Sequence, residues 1–433
     1  MSTSQGHGVD AHTGEEDPGE PDERHGYRTY EVYQRERVGE TTNLISPRQL
    51  VGDDYLSDPY ALVDVLRENY PCYRDWVGNR FWITRYDDVT SVLADTANYE
   101  SRPRAHAYLA ARNGRSLWGE LVIEAALKRC IDDALDQVIG RVLDGVADVP
   151  DLATSFAARL PLELWSEAVA LEPHERSDFA RRLWRMHRGA GWDPIDRVAG
   201  AAAFDELADF FDARLRRSPD GDDLVSAAAR LGATGHDLVV TLLEADHETL
   251  HGGLANLWFQ LVGHPGQLQA ISTEPRLMKF AWLEALRHSP AVIHAERFAR
   301  HEVERFGRLL PEGALLWCST AAANRDPRVF NEPDTFRVDR TDLCQREPRG
   351  QYRADGLPSG IAIGLGLPSI QPARPKERPR SRYALTEDIA VRASRSLLER
   401  WPAIALAEGA SPSLRSLRLG DMHTCWSLPV TLA

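Results

Sequence analysis

Ala321-Ala322-Ala323-Asn324-Arg325-Asp326-Pro327, followed by Phe330, by Pro333-Asp334-Thr335-Phe336 and by Arg340, is the stretch on which the fold of this 433-residue chain turns. Upstream of it stands Glu284-Ala285-Leu286-Arg287. Residues three apart share one face of a helix, so Glu284 and Arg287 are spaced to form an ion pair. Such pairs are common on exposed helices. It is the combination with the downstream phrase that carries information.

Working outward, helical periods dominate. A helix is expected over Arg276 to His288, preceded by a long one from Gly235-His236-Asp237 to Gly263-His264-Pro265, with Asp237 as its cap and Pro265 as its stop. Its roughly 26 residues would span about 39 Å. It is apolar around its circumference, which predicts a central buried helix. Further helices are expected over Pro59 to Asn69, after Asp88, across Leu117 to Leu215 with breaks near Pro150, Pro161, Pro173 and Trp192-Asp193-Pro194, and over Tyr383 to Arg400. Phe81-Trp82-Ile83-Thr84 and the pieces between Val292 and Cys318 read as strands. The fold class expected is mainly α with a small β region.

Composition bounds the function. Hydrophobic residues make up 43% and charged residues 27% of the chain, as in an ordinary globular protein, and no run approaches the roughly 18 apolar residues of a membrane span. No secretory signal is read, so a cytoplasmic location is expected. The five cysteines, Cys72, Cys130, Cys318, Cys344 and Cys425, are scattered, which suits reduced thiols. A net charge of −14 disfavours nucleic acid as a partner. Residues 1–27 hold seven acids against Arg24 alone and almost nothing apolar, and are read as a disordered acidic tail before one domain over 28–433.

Taken together, these phrases resemble the bacterial cytochrome P-450 enzymes, in the family's order and spacing, over Pro47 to Leu432. Tyr86-Asp87-Asp88-Val89 and Ser101-Arg102-Pro103 are similar to its entry region, and Glu284 with Arg287, Arg325 and Arg340 to its structural motif. The resemblance implies the triangular, mainly helical cytochrome P-450 fold.

Where the family keeps its chemistry, this chain departs. Gly360-Ile361-Ala362-Ile363-Gly364-Leu365-Gly366-Leu367-Pro368-Ser369-Ile370-Gln371-Pro372 resembles the haem loop, with Ile363 at the phenylalanine position, Pro368 at the His/Arg position, Ile370 at the cysteine position and Pro372 at the last glycine. The family's thiolate is the axial bond to iron and favours O–O cleavage. Isoleucine ligates no metal, and Cys344, 26 residues upstream, lacks the glycine loop. Ala245-Asp246-His247-Glu248-Thr249 is close to the oxygen-activation signature, but Asp246 stands where a glycine is usual. The family's propionate-gripping His-x-x-x-Arg is not matched, since His106 and Arg112 lie six apart, leaving Arg297 as a later match. No cofactor is therefore expected.

His247-Glu248-Thr249-Leu250-His251 also spells the zinc pattern His-Glu-x-x-His. On a helical wheel Asp246, Thr249, Leu250 and Gly253 share a face, while His247 and His251 point about 100° to 140° away, into packed protein. No third ligand is evident. Arg374, Lys376, Arg378, Arg380 and Arg382 form a basic insertion read as a solvated loop.

Cysteine-less members of the family are helper subunits of sugar transferases, so the resemblance implies an accessory protein for a glycosyltransferase-type partner in natural-product biosynthesis, with a small-molecule ligand in the old pocket as a further option. Its rivals are a haem-independent cyclase, isomerase or dehydratase using Asp246, Glu248 and Thr249, and a haem protein with another ligand.

Overall fold

The computed structural model describes residues 45–102, 108, 112–191, 193–217, 221–245, 247–343, 382–417 and 422–433. The acidic tail, Asp246, Cys344, the Gly360–Pro372 loop and all of the basic insertion before Arg382 lie outside the described residues.

After a single 3-10 turn at Gln49–Val51, the described residues form two short helices, α1 (Asp53–Ser57) and α2 (Pro59–Asn69), followed by strands β1 (Tyr73–Asp75) and β2 (Arg80–Ile83). The start of α2 follows from local chemistry: the Asp58 carboxylate accepts the Tyr60 N–H at 3.0 Å, and Pro59 fills a position whose N–H would have no helical partner. Next come α3 (Tyr86–Ala94) and β3 (Tyr99–Glu100), then the helical body of α4 (Leu121–Asp148), α5 (Arg159–Ala168), α6 (Pro173–Gly189), α7 (Pro194–Leu215) and α8 (Leu224–Arg230). Asp193 caps α7 through the N–H groups of Ile195 and Asp196. Pro161 does not break α5. It sits in the first turn, where a missing N–H costs nothing.

The expected long helix is divided into α9 (Gly235–Leu243) and α10 (His247–Gly263). Glu244 closes α9, and the Ala245 N–H tightens back onto Leu242 O at 3.2 Å. No glycine or proline marks this break, so no local signal announces it. The cap is Thr234, not Asp237: the Thr234 hydroxyl accepts the Asp237 N–H at 3.3 Å while Asp237 accepts the Thr234 N–H at 2.9 Å. Pro265 opens α11 (Pro265–Thr273), and α12 (Leu277–His288) follows.

Strands β4 (His294–Ala299), β5 (Val303–Arg305), β6 (Arg308–Leu310) and β7 (Leu315–Ser319) lead to the short α13 (Thr320–Ala323). After α14 (Arg382–Arg400) the chain ends in β8 (Ala405–Leu406), β9 (Leu414–Arg415), β10 (Thr424–Cys425) and β11 (Val430–Thr431). The main sheet has the order β1-β2-β7-β4-β3, with β2 and β7 parallel and the other neighbours antiparallel. Alternation along its central strands sends Phe81, Ile83, Leu316 and Cys318 into one apolar cluster and Trp82, Leu315 and Trp317 into another. The largest core surrounds α10, where Trp258, Trp282, Phe156, Phe204 and Phe211 are fully buried. No described helix is long and apolar enough to cross a membrane.

Candidate functional site

Glu284 and Arg287, one helical turn apart on α12, are both completely buried. Arg287 donates from Nε to Glu284 Oε2 at 2.7 Å and from Nη2 to Oε1 at 2.8 Å, a bidentate pair. Its Nη1 reaches Asn324 O at 2.9 Å and Pro333 O at 2.8 Å. Arg340 adds Nε to Glu284 Oε1 at 3.2 Å, so one carboxylate holds two guanidinium groups and ties α12 to the segment after α13. Arg325 stands apart from this network. It donates to His288 O at 2.6 and 2.9 Å and lies 3.5 Å over the Tyr60 ring.

Helix α10 carries the other candidates. Glu248, in its first turn, lies against His187 of α6, with His187 Nδ1 at 3.1 Å from Glu248 Oε1. The His187 ring stacks on His247 at 4.6 Å, and His251 meets His247 edge-on at 5.8 Å. Trp184 and Trp426 close the group, at 5.4 and 6.1 Å from His251. His247 and His251 thus face aromatic and imidazole rings. Among the described residues no group of three histidine, cysteine, aspartate or glutamate side chains is placed to hold a metal ion. Burial drives the His251 pKa down to about 4, against a weaker upward pull from Glu248, so its ring is neutral at pH 7.

Thr249 is buried on another side of α10, and Gly253 faces α12, where a Cβ would come within 2.7 Å of the Trp282 ring. His247 and Leu250 line a cavity of about 30 Å³ shared with Ile131, Leu164 and Ile389, which has room for a water or two. Further along, Asn256 is buried with three hydrogen bonds: Nδ2 donates to Ser289 O and His423 O, and Oδ1 accepts the Cys425 N–H. It clamps the C-terminal strands onto α10. Reasoning from the sequence passed over His187, Trp184, Asn256 and Trp426. The i, i+3 spacing of Trp184 and His187 shows a shared face, but the partner Glu248 lies 61 residues away.

The haem that the resemblance implies finds no ligand among these residues. A thiolate donor is required, and none of the described cysteines offers one. Burial raises the Cys72 thiol to about 11 and those of Cys130, Cys318 and Cys425 to about 12, keeping all four protonated. Ile370 and Pro368, which the resemblance sets at the ligand and His/Arg positions, lie outside the described residues, and neither side chain can bond iron. One feature does suit an anionic group: Arg297 is 2% exposed and donates only from Nη1 to Glu296 O at 2.7 Å, leaving Nη2 buried and unpaired. Burial pushes its pKa below the usual range. The donor set does not fit a haem-thiolate centre.

No protein-family model matches the chain. Over 223 residues it is 34% identical to cytochrome P450 107B1 of Saccharopolyspora erythraea, a match covering 49% of this chain and 53% of that protein. In that match the chain spans about half the length of its relative. Over 392 residues it is 28% identical to the cytochrome P450 monooxygenase PikC of Streptomyces venezuelae, covering 82% of this chain and 87% of PikC. Among solved structures, P450BioI in complex with an acyl carrier protein ligated to hexadec-9Z-enoic acid superposes with a TM-score of 0.68 at 19% identity, over 88% of this chain and 100% of that one. The chain thus has the cytochrome P450 fold, and its sequence is similar to bacterial cytochrome P450 proteins.

Proposed function

We propose that the chain is a haem-free member of this superfamily that acts as an accessory protein, activating a glycosyltransferase-type partner enzyme in natural-product biosynthesis. The observation that carries this reading is the donor set: Ile370 at the ligand position, and described cysteines that are neutral, mostly buried thiols. A scaffold without its reactive centre that still maintains a fully satisfied buried network around Glu284 is under demand for shape and surface. An activator works by binding the active conformation of its partner more tightly than the inactive one, which requires surface and no catalytic group. The P450BioI complex is a case of this fold engaging a protein.

The test is co-expression with a neighbouring glycosyltransferase. Co-purification, and a transferase rate that rises with added protein, are expected. A transferase indifferent to its presence would overturn the activator role. A stoichiometric Soret band after expression with excess haem would overturn the haem-free state, including the alternative of a non-cysteine ligand.

The His187–Glu248 pair favours a second reading, a haem-independent enzyme using Asp246, Glu248 and Thr249. A carboxylate that orients an imidazole is a proton-transfer arrangement. Turnover by the purified protein alone, abolished in Asp246→Ala and Glu248→Gln, is what this reading requires.

A further inference from the structure

Helix α5 lines a cavity on each side. Leu164 and Trp165 belong to the small inner one that His247 and Leu250 also line. Arg159, Leu162 and Glu163 instead line an open cleft of about 570 Å³, continued by Arg141 of α4 and by Pro173, Arg176 and Ala180 of α6. Small-molecule sites are commonly clefts of roughly 300–1,000 Å³.

Three arginines from three helices meet at this cleft over two carboxylates. Every nitrogen of the Arg176 guanidinium donates: Nη1 to Glu163 Oε2 at 3.2 Å, Nη2 to Glu167 Oε2 at 3.0 Å and Nε to Leu171 O at 3.3 Å. Arg141 donates from Nη2 to Glu167 Oε2 at 2.7 Å, but its Nε is buried without a hydrogen-bond partner among the described residues, 3.9 Å from Glu163 Oε2. Arg159 makes one ion-pair contact among the described residues, Nε to Glu163 Oε1 at 3.5 Å, too long for a good hydrogen bond. Gly145 of α4 leaves room for it, since a Cβ there would collide with Arg159 Nη1. Arg141 and Arg176 already tie α4 and α6 to the two carboxylates of α5, so holding the helices together does not require Arg159. Its presence leaves this cluster, three cations against two anions, with one positive charge in excess on a chain whose net charge is −14.

We propose that this cleft binds a small organic carboxylate, its anion held by Arg141 and Arg159 and its apolar body lying against Leu162, Pro173 and Ala180. The two arginines flank the same Glu163 carboxylate, which places their unused donors within reach of one anion. A guanidinium fork matches a planar carboxylate, and a single excess charge matches a monoanion better than a phosphate dianion.

Binding is measured by calorimetry at low ionic strength on the full chain, with 4-phenylbutyrate, its neutral amide and acetate as probes. The variants are Arg141→Gln, Arg159→Gln and Arg392→Gln, the last an arginine of α14 that pairs with Asp136 outside the cleft. The expected result is one-to-one binding of 4-phenylbutyrate, weakened about tenfold or more by the amide and by each cleft variant, as for the loss of a charge-assisted hydrogen bond. Acetate, which lacks the apolar body, binds more weakly, and Arg392→Gln matches the parent. Thermal melts supply an independent readout: Arg159→Gln melts as the parent does, because Arg159 makes no hydrogen bond to lose, and 4-phenylbutyrate raises the parent's Tm but not the variant's. No binding of 4-phenylbutyrate, equal binding of acid and amide, acetate binding as tightly as the larger acid, cleft variants that bind like the parent, or an equal loss in Arg392→Gln each overturns the proposal. The cleft uses none of the residues on which the haem-free reading rests, so its failure leaves that reading standing.

Discussion

Arg287 and Arg297 are both buried arginines within ten residues of each other, and their surroundings are opposite. Arg287 has a bidentate carboxylate, two further carbonyls and the Phe330 ring 5.2 Å beneath it. Arg297 has one carbonyl. The first environment is complete within the chain and belongs to the scaffold. The second, among the described residues, has a single backbone acceptor. Buried polar groups stabilise best where every member is satisfied, so the network around Glu284 holds the scaffold while Arg297 adds little to it.

The largest expected effect comes from breaking the complete side. Glu284→Gln leaves Arg287 and Arg340 without their shared charge, and a loss of about 3–5 kcal/mol is expected, enough to make the chain poorly folded. Denaturant unfolding measures it, and a loss below 1 kcal/mol would remove the contrast with Arg297.

Acid provides the next test. His251 is held near 4, against an ordinary value of 6.5, by burial. A depressed histidine stays neutral in the fold while the unfolded chain takes up the proton. Its contribution is therefore present above about pH 6.5 and lost as pH falls towards 4, about 3 kcal/mol over that window. His423, also depressed to about 4 by burial, adds a second term of the same sign. Unfolding midpoints measured from pH 7 to pH 4 should fall less steeply in His251→Phe than in the parent. Parallel profiles would show that the α6–α10 cluster is not the acid-sensitive seam.

The smallest effect is reserved for the surface. Arg392 of α14 reaches Asp136 of α4 at 2.7 Å, but that carboxylate is 83% exposed. Arg392→Ala should change stability by less than about 1 kcal/mol. A larger loss would mean that partner charges matter as much outside as within, and would blunt the comparison of the two buried arginines.

How far the structure was legible from residues alone varies with range. The helix from Pro59 and the break at Trp192-Asp193-Pro194 were legible because proline chemistry is local, and a helix begins at each proline. The division between α9 and α10 carries no such chemistry and was missed. The Glu284–Arg287 pair is visible as a spacing of three, yet the entry of Arg340 spans 56 residues. The histidines were expected to face packed protein. That the packing would be His187, Trp184 and Trp426 was hidden, since these lie on other elements.

The isoleucine at position 370, the mainly helical class and the cytochrome P450 fold follow from residue chemistry and order along the chain, which require no coordinates. Which buried charges find partners depends on elements tens to hundreds of residues apart meeting in space. Only the tertiary structure separates Arg287, which meets a carboxylate and two carbonyls, from Arg297, whose acceptor among the described residues is one backbone carbonyl.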